Sequence, residues 1–271
     1  MKSKYASIPY LIWMVLFTVV PLGLVIFFAF TDTSGNFTIS NISQVGKYMP
    51  VLMRSIWLSL IATVICLVVA YPLAYIMSRR KSYQQRTLLM LVMLPMWMNF
   101  LLRTYAWMTL LERNGVINRL LGLIGLGPFE MINTQGAVVL GMVYNYLPFM
   151  IIPLYTIMTK IDNSVIEAAQ DLGANTGNVF ARVIIPLSMP GITTGITMVF
   201  VPAVSTFIIS RMLGGGSNLL IGDLIDMQFL GASYNPNLGS AISLVLMVII
   251  LICMSVTNQF DSSEGKEEMM V

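Results

Sequence analysis

The chain has 271 residues, of which 57% are hydrophobic and only 10% are charged, whereas soluble domains carry roughly 25% charged residues. With a mean hydropathy of +0.81, this composition indicates an integral membrane protein. The formal charge of +3 is too small and too dispersed to favour nucleic acid, and the absence of histidine removes histidine-based catalysis and the usual zinc and haem ligation, so no metal site is predicted.

Six apolar stretches are long enough to cross a bilayer, which takes roughly 20 residues. They lie at about 9–30, 56–77, 87–111, 135–158, 190–212 and 239–258. They predict an all-α membrane protein with six transmembrane helices in one domain, 1–258, and a tail, 259–271, that is expected to be disordered. The first stretch could be a signal peptide, but Pro21 and the lack of a convincing cleavage site favour a retained span.

Lysine and arginine in the short loops predict the orientation. With the amino terminus inside, the inner loops carry nine, namely Lys2, Lys4, Arg79, Arg80, Lys81, Arg86, Lys160, Arg182 and Lys266. The outer loops carry five, namely Lys47, Arg54, Arg113, Arg119 and Arg211. Both termini are therefore expected in the cytoplasm. The densest cluster, SRRKSYQQR at 78–86, is interpreted as a topology anchor.

The third and fourth apolar stretches carry polar and aromatic side chains. These are Trp97, Asn99, Arg103, Tyr105 and Trp107 in the third, and Tyr144 and Tyr146 in the fourth. Asn99, Arg103 and Trp107 share one face of a continuous helix, because they are spaced four residues apart. An ionisable residue inside a membrane usually faces a cavity or a partner; alternatively, Arg103 packs between helices or snorkels to the interface.

The loop at about 159–189 is polar and helical in pattern, and it is expected in the cytoplasm. Ser164 followed by Glu167 fits a capping box that begins a helix, and Gly173 suits the left-handed position that ends one. A narrow apolar stripe is formed by Val165, Ala168, Ala169 and Leu172. Asn175 or Thr176 can cap a second helix, which Pro186 breaks or bends. Two short helices are therefore predicted to meet around a glycine.

A motif in this loop resembles the EAA loop of the permease subunits of bacterial ABC importers. It reads Glu167-Ala168-Ala169, three residues, Gly173, nine residues, then Val183-x-Ile185-Pro186, with valine and isoleucine where isoleucine and leucine are usual. The resemblance implies a type I, MetI-like importer permease fold in which the loop docks in a groove of an ATPase subunit. The implied coupling residues are Glu167, Ala168, Ala169, Asp171, Leu172, Gly173 and Pro186. Glu167 could instead serve only as a helix cap.

The chain contains no G-x-x-x-x-G-K-[ST] phosphate loop. We therefore expect it to have no ATPase site and to bind no cofactor, with ATP and magnesium held by partner ATPase subunits.

The fifth stretch and the loop after it supply further candidates for the substrate pathway. In the family that the motif resembles, the fifth span lines the passage, which implicates Pro202, Ser205 and Thr206, although such residues also kink and join helices. Asp223 and Asp226 lie three residues apart in an outer loop. They are expected to present carboxylates outward to a cation or a binding protein, or to be solvated surface charges.

Two longer segments, LPMWMNFLLRTYAWMTLLERNGVIN at 94–118 and GMVYNYLPFMIIPLYTIMTKID at 141–162, resemble the spermidine/putrescine importer permeases, the PotB-like family. The resemblance implies a polyamine cargo, which aromatic faces and oxygen atoms would hold. The pathway candidates are Trp97, Asn99, Tyr105, Trp107, Tyr144, Tyr146, Pro202, Ser205, Thr206, Asp223 and Asp226. The implied partners are a homologous second permease, two ATPase subunits and an extracytoplasmic binding protein, in the bacterial inner membrane.

Three alternatives remain open at this point. The same machinery could import an opine, a phosphonate or ferric ion, and Arg103 would suit an anionic cargo. A self-contained secondary carrier would need inverted repeats or buried acidic proton relays, and neither is evident, since all twelve acidic residues fall in predicted loops or tails. A membrane enzyme would need a metal set or a nucleophile constellation, and the sequence offers none.

Overall fold

The chain is a bundle of helices in a computed structural model that describes residues 8–231 and 233–267. Within these residues the backbone is helical or irregular, apart from one isolated antiparallel bridge between Thr31 and Phe37. A helix satisfies its own amide and carbonyl groups, which is what a hydrocarbon solvent requires. The predicted all-α class is confirmed.

From residue 8 onward, the described first half of the chain contains seven helices and two short irregular turns of helix. The helices are α1 (Ile8–Met14), α2 (Val20–Ala29), α3 (Ser40–Val45), α4 (Met49–Ser78), α5 (Ser82–Trp97), α6 (Phe100–Leu111) and α7 (Val116–Leu123). A π-helical turn, Val15–Val19, joins α1 to α2, and a 3-10 turn, Gly46–Tyr48, joins α3 to α4. Proline stands in the first turn of both α2 and α4, directly after these turns, where the change in hydrogen-bond pattern accommodates its missing N–H.

The second half contains the remaining described helices. They are α8 (Gln135–Met158), α9 (Asn163–Asp171), α10 (Thr176–Val179), α11 (Ile185–Val204), α12 (Ile208–Leu213), α13 (Ile221–Leu230) and α14 (Pro236–Glu267). A π-helical segment, Phe180–Ile184, joins α10 to α11 without a break.

Five helical stretches among the described residues are long and apolar enough to cross a membrane. They are Pro9–Ala29, Ser40–Ser78, Gln135–Met158, Thr176–Val204 and Pro236–Thr257. A sixth candidate is the pair formed by α5 and the stretch Phe100–Leu123, which passes the same test but is bent by 86°. The predicted count of six spans is met when this bent pair is counted as one span.

Two predicted spans have the wrong shape. The third, 87–111, is not one straight helix, because the Asn99 Oδ1 atom accepts the Leu101 amide at 2.8 Å and starts α6 in a new direction. The fifth was predicted at 190–212, but the observed helical span is Thr176–Val204. It ends at Val204 because residues 205–207 interrupt the helix before α12. An apolar run has the same composition whether its backbone continues or breaks, so hydropathy alone could not place these interruptions.

The centre of the bundle is formed by α4, α8 and α11. Their shared interface contains small and flexible apolar residues, among them Cys66, Ala70, Ala74, Met150, Leu154 and Val199. The backbones of α8 and α11 approach closely, since a Cβ added at Gly191 would lie 3.1 Å from the Pro153 carbonyl oxygen. Small residues at such crossings allow the van der Waals packing that holds helices together in lipid.

The carboxy-terminal tail differs from the prediction. Helix α14 runs to Glu267 without interruption, so residues 259–267, expected to be disordered, are helical; residues 268–271 lie outside the described part of the chain. The polar residues after Thr257 include no proline, so nothing in them removes a backbone donor and ends the helix.

Candidate functional site

Helices α9 and α10 form a bent pair around Gly173, residues 163–179, which we call the elbow. Helix α9 begins after Asp162, whose Oδ1 atom accepts the Ser164 amide at 3.0 Å. This hydrogen bond lowers the pKa of the Asp162 carboxyl. The predicted capping box of Ser164 and Glu167 is therefore wrong: an aspartate two residues earlier takes the cap, and Glu167 lies exposed on the second turn.

The end of α9 confirms the predicted role of Gly173. Its φ is +85°, a left-handed conformation in which other residues are strained. The Gly173 amide donates to the Gln170 carbonyl oxygen at 2.8 Å, and the Ala174 amide donates to that of Ala169 at 3.1 Å. These two bonds are the Schellman pattern, which satisfies the last carbonyl groups of a helix and turns the chain.

The second arm of the elbow starts as predicted and continues further than predicted. The Asn175 Oδ1 atom accepts the Asn178 amide at 2.9 Å and caps α10. Pro186 does not end this helix, because it stands in the first turn of α11 directly after the π-helical segment. Proline has no N–H to donate, and its ring clashes with the preceding turn of an α-helix. The wider π turn leaves room for the ring and shifts the hydrogen-bond pattern at this point. Helix α10 and the fifth span are thus one continuous helical rod.

The surface of the elbow is polar, but it also exposes two large apolar side chains. Leu172, just before the bend, is 90% exposed, and Val165 is 44% exposed. Glu167, Ala168 and Asp171 are also exposed, while Ala169 is half-buried. The structure therefore brings the predicted coupling residues together on one small surface, except for Pro186 in the rod behind it.

Four predicted pathway residues line one cavity of about 230 Å³ at the other end of α11. Tyr146, Pro202, Ser205 and Thr206 surround it with Phe100, Phe207 and Ile208. The Tyr146 hydroxyl donates to the Pro202 carbonyl oxygen at 3.3 Å. The cavity thus combines aromatic faces with hydroxyl and carbonyl oxygens at the point where the fifth span breaks.

The other pathway candidates are dispersed. The rings of Trp107 and Tyr144 meet edge to face at 5.4 Å and line a separate apolar cavity of about 670 Å³ between α4 and α8. Asn99 caps α6, as described above. Trp97 and Tyr105 are 73% and 52% exposed, so these side chains lie on the surface of the subunit.

Arg103 is buried beside the smaller cavity. It is 8% exposed, and its guanidinium lies 5.9 Å from the ring centroid of Phe100, a wall of that cavity. Among the described residues, its Nε and Nη1 atoms have no hydrogen-bond partner. Asn99, Arg103 and Trp107 all lie after the bend, because Asn99 caps α6 and its carbonyl oxygen accepts the Arg103 amide at 3.2 Å.

The α12–α13 hairpin holds the two predicted carboxylates in a different way from the prediction. Asp223 is fully buried, and its Oδ2 atom accepts the Ser210 hydroxyl at 2.5 Å and the Leu220 amide at 2.9 Å. Arg211 reaches the Asp223 carboxylate at 3.6 Å and that of Asp226 at 2.6 Å. Asp223 is therefore neither solvated nor presented outward, and Asp226 is half-buried in an ion pair.

Burial raises the pKa of the Asp223 carboxyl, while the bonds from Ser210 and Leu220 oppose that rise. Sequence reasoning missed Ser210 and Arg211 as its partners, and the only signal for them was a serine and an arginine on the preceding short helix. A hydrogen bond also joins the hairpin to α4, since the Ile221 amide donates to the Ser55 hydroxyl oxygen at 2.8 Å.

Comparison with known proteins decides the family. Residues 4–263 match the family described as binding-protein-dependent transport system inner membrane component. The chain belongs to this family of membrane transport components. It is similar to the spermidine/putrescine transport system permease protein PotB of Haemophilus influenzae, with 40% identity over 248 residues, 88% of this chain and 86% of that protein. PotB of Escherichia coli is 38% identical over 88% of this chain and 90% of its own length.

A solved structure confirms the fold of this family member. The crystal structure of a bacterial ABC transporter involved in the import of the acidic polysaccharide alginate matches with a TM-score of 0.80 and 17% identity, over 96% of this chain and 94% of that one. The expected type I, MetI-like permease fold is therefore confirmed, as is the resemblance first given by the EAA motif. The chain is a multi-pass inner membrane component.

Proposed function

We propose that this chain is the membrane permease subunit of an ATP-binding-cassette importer for polyamines such as spermidine and putrescine. The observation that carries the proposal is the 40% identity to a spermidine/putrescine permease across 88% of this chain. The elbow adds a physical argument of its own, since it is a rigid polar bend with exposed apolar points, joined directly to a membrane span.

The elbow is the proposed contact with an ATPase subunit. Leu172 is 90% exposed at its tip, and an apolar side chain in that position gains most when a groove on a partner covers it. The proposed complex contains a homologous second permease, two ATPase subunits that hold ATP and magnesium, and an extracytoplasmic binding protein. This chain itself hydrolyses no ATP and serves as the transport subunit.

The proposed orientation follows from the lysine and arginine bias, with both termini and the elbow in the cytoplasm. The α12–α13 hairpin then lies on the outer side, because α11, a helix of 20 residues, separates it from the elbow. At a rise of about 1.5 Å per residue, that helix spans roughly 30 Å. The binding protein would dock on this outer side.

The proposed mechanism is alternating access driven by the motor. Closure of the ATPase subunits around ATP moves the two elbows toward each other. Because α10 runs into α11 without a break, the displacement of an elbow tilts the fifth span as a rigid rod. The spans rock from inward-open to outward-open and receive cargo from the binding protein, and no bond of the cargo is broken.

The cavity at the break of the fifth span is the proposed polar point on the cargo pathway. Tyr146 supplies an aromatic face, Ser205 a hydroxyl group, and Pro202 a carbonyl oxygen. Ammonium groups bind such faces and oxygen atoms. Arg103 beside this cavity is the one feature that favours an anionic cargo, because a guanidinium repels a polycation.

A competition experiment tests the cargo. The complex is purified from its native membrane, its subunits are identified by mass spectrometry, and uptake of labelled spermidine is measured in proteoliposomes with unlabelled competitors. We expect ATPase and second permease subunits to copurify, and putrescine to compete while an opine, an alkylphosphonate and a ferric chelate do not. Competition by one of those three instead of putrescine would contradict the polyamine assignment, and the absence of an ATPase subunit would contradict the importer.

A further inference from the structure

The end of α4 contacts the elbow although the chain connects the elbow only to α8 and α11. Arg79 follows the last residue of α4. Its Nη1 atom donates to the Ile161 carbonyl oxygen at 3.0 Å and to the Asn163 Oδ1 atom at 2.6 Å. Asn163 is the first residue of α9. The guanidinium therefore holds the start of the first arm of the elbow, and charge-assisted bonds of this kind are among the stronger ones in proteins.

The same end of α4 also contacts the second arm. The Arg79 guanidinium lies over the Tyr75 ring at 5.4 Å from its centroid. Tyr75 also contacts Phe180, whose ring meets that of Tyr75 at 4.6 Å and 63°. Phe180 begins the π-helical segment that joins the elbow to α11. One chain of contacts, Asn163 to Arg79 to Tyr75 to Phe180, thus links both arms through α4.

Arg79 differs from its neighbours in the basic cluster. Its Nε and Nη2 atoms are buried and have no hydrogen-bond partner among the described residues, so part of its desolvation is not compensated. Arg80, the next residue, is exposed, as expected of a residue that serves only as a topology anchor. A half-buried, partly unsatisfied guanidinium with two directed bonds indicates a geometric role.

We propose that Arg79 and Tyr75 are positioning residues that clamp the elbow to α4, so that displacement of the elbow moves α4 together with α11. The inference rests on the proposed function. The clamp extends the proposed function to a further span, because α4 packs along both α8 and α11 at the centre of the bundle. Without the clamp, the ATPase subunits would move the elbow and α11 while α4 lagged, and ATP hydrolysis would no longer be matched by transport.

The test compares Arg79→Gln with Arg80→Gln, which remove the same charge from adjacent positions. Each variant of the full complex is reconstituted in proteoliposomes with the binding protein, and spermidine uptake and ATP hydrolysis are measured together. For Arg79→Gln we expect the uptake per ATP hydrolysed to fall about fivefold or more, with all subunits still copurifying. Arg80→Gln is expected to match the wild type.

Two further variants keep the proposal falsifiable if Arg79→Gln fails to assemble. Tyr75→Phe retains the ring that contacts both partners and is expected to match the wild type, whereas Tyr75→Leu is expected to uncouple the complex. Equal uptake per ATP in Arg79→Gln and Arg80→Gln, or in Tyr75→Leu and Tyr75→Phe, would overturn the clamp. A wild-type complex that shows no ATP-driven uptake would instead overturn the proposed function, so the two failures are distinguishable.

Discussion

Replacing Gly173 with valine in the assembled transporter is expected to lower substrate uptake about tenfold. Gly173 has a φ of +85°, and a non-glycine residue held in this left-handed region costs about 1–2 kcal/mol, more when it is β-branched. Apart from the adjacent residues of the chain, no described residue has an atom within 4 Å of a Cβ added there, so the effect comes from backbone strain and not from a clash. The bent conformation loses stability by that amount, and the measurement is uptake by the complex at equal protein level.

The control is Gly173→Asn, because asparagine tolerates the left-handed region better than other side chains. It adds polar bulk at the same point but is expected to retain most of the uptake. If valine and asparagine reduce uptake equally, the bulk of the side chain at the docking surface is responsible. If valine leaves uptake and ATP hydrolysis tightly linked at wild-type levels, the elbow does not transmit the force.

Replacing Asp223 with alanine is expected to destabilise the purified protein by about 2–4 kcal/mol. The substitution leaves the Leu220 amide without its acceptor and removes packing volume inside the hairpin, and the fully buried Ser210 hydroxyl keeps only the Phe207 carbonyl oxygen at 3.0 Å. A lost buried acceptor costs about 1–3 kcal/mol for each group left unpaired. Thermal unfolding in detergent measures the change.

Asp226→Ala is the matched control, since both carboxylates contact Arg211. The Asp226 bond is shorter, 2.6 Å against 3.6 Å, but its side chain is 21% exposed and that of Arg211 is 49% exposed, whereas that of Asp223 is fully buried. An exposed ion pair contributes roughly 0–1 kcal/mol. We therefore expect burial to outweigh distance. Equal losses in the two variants would contradict the assignment of Asp223 as the structural centre of the hairpin.

The elbow was predictable because its signals are local. Gly173 requires a backbone conformation that few other residues adopt, and Asn175 caps the helix that follows it. The start of α9 was predicted wrongly at Ser164, because Asp162 and Ser164 are both good caps and lie two residues apart. Only the observed geometry, in which Asp162 is extended and accepts the Ser164 amide, separates them.

The features that escaped prediction are interruptions inside apolar runs and contacts between separate segments. The bend at Asn99 and the break after Val204 fall inside apolar runs, where composition is the same for a straight and a broken helix. The burial of Asp223 depends on Arg211 and Ser210 folding back onto α13, and the clamp depends on Arg79 contacting Asn163, which lies 84 residues away in the sequence. Periodicity along one helix contains no information about such approaches.

The central claim is that separate ATPase subunits drive this chain through its elbow, and ATP-dependent uptake tests it most directly. Proteoliposomes containing the full complex, loaded inside with ATP and magnesium and supplied outside with binding protein and labelled spermidine, are compared with proteoliposomes containing this chain alone. We predict accumulation only with the full complex and hydrolysable ATP. Accumulation by the chain alone, or equal accumulation with a non-hydrolysable ATP analogue, would contradict the account.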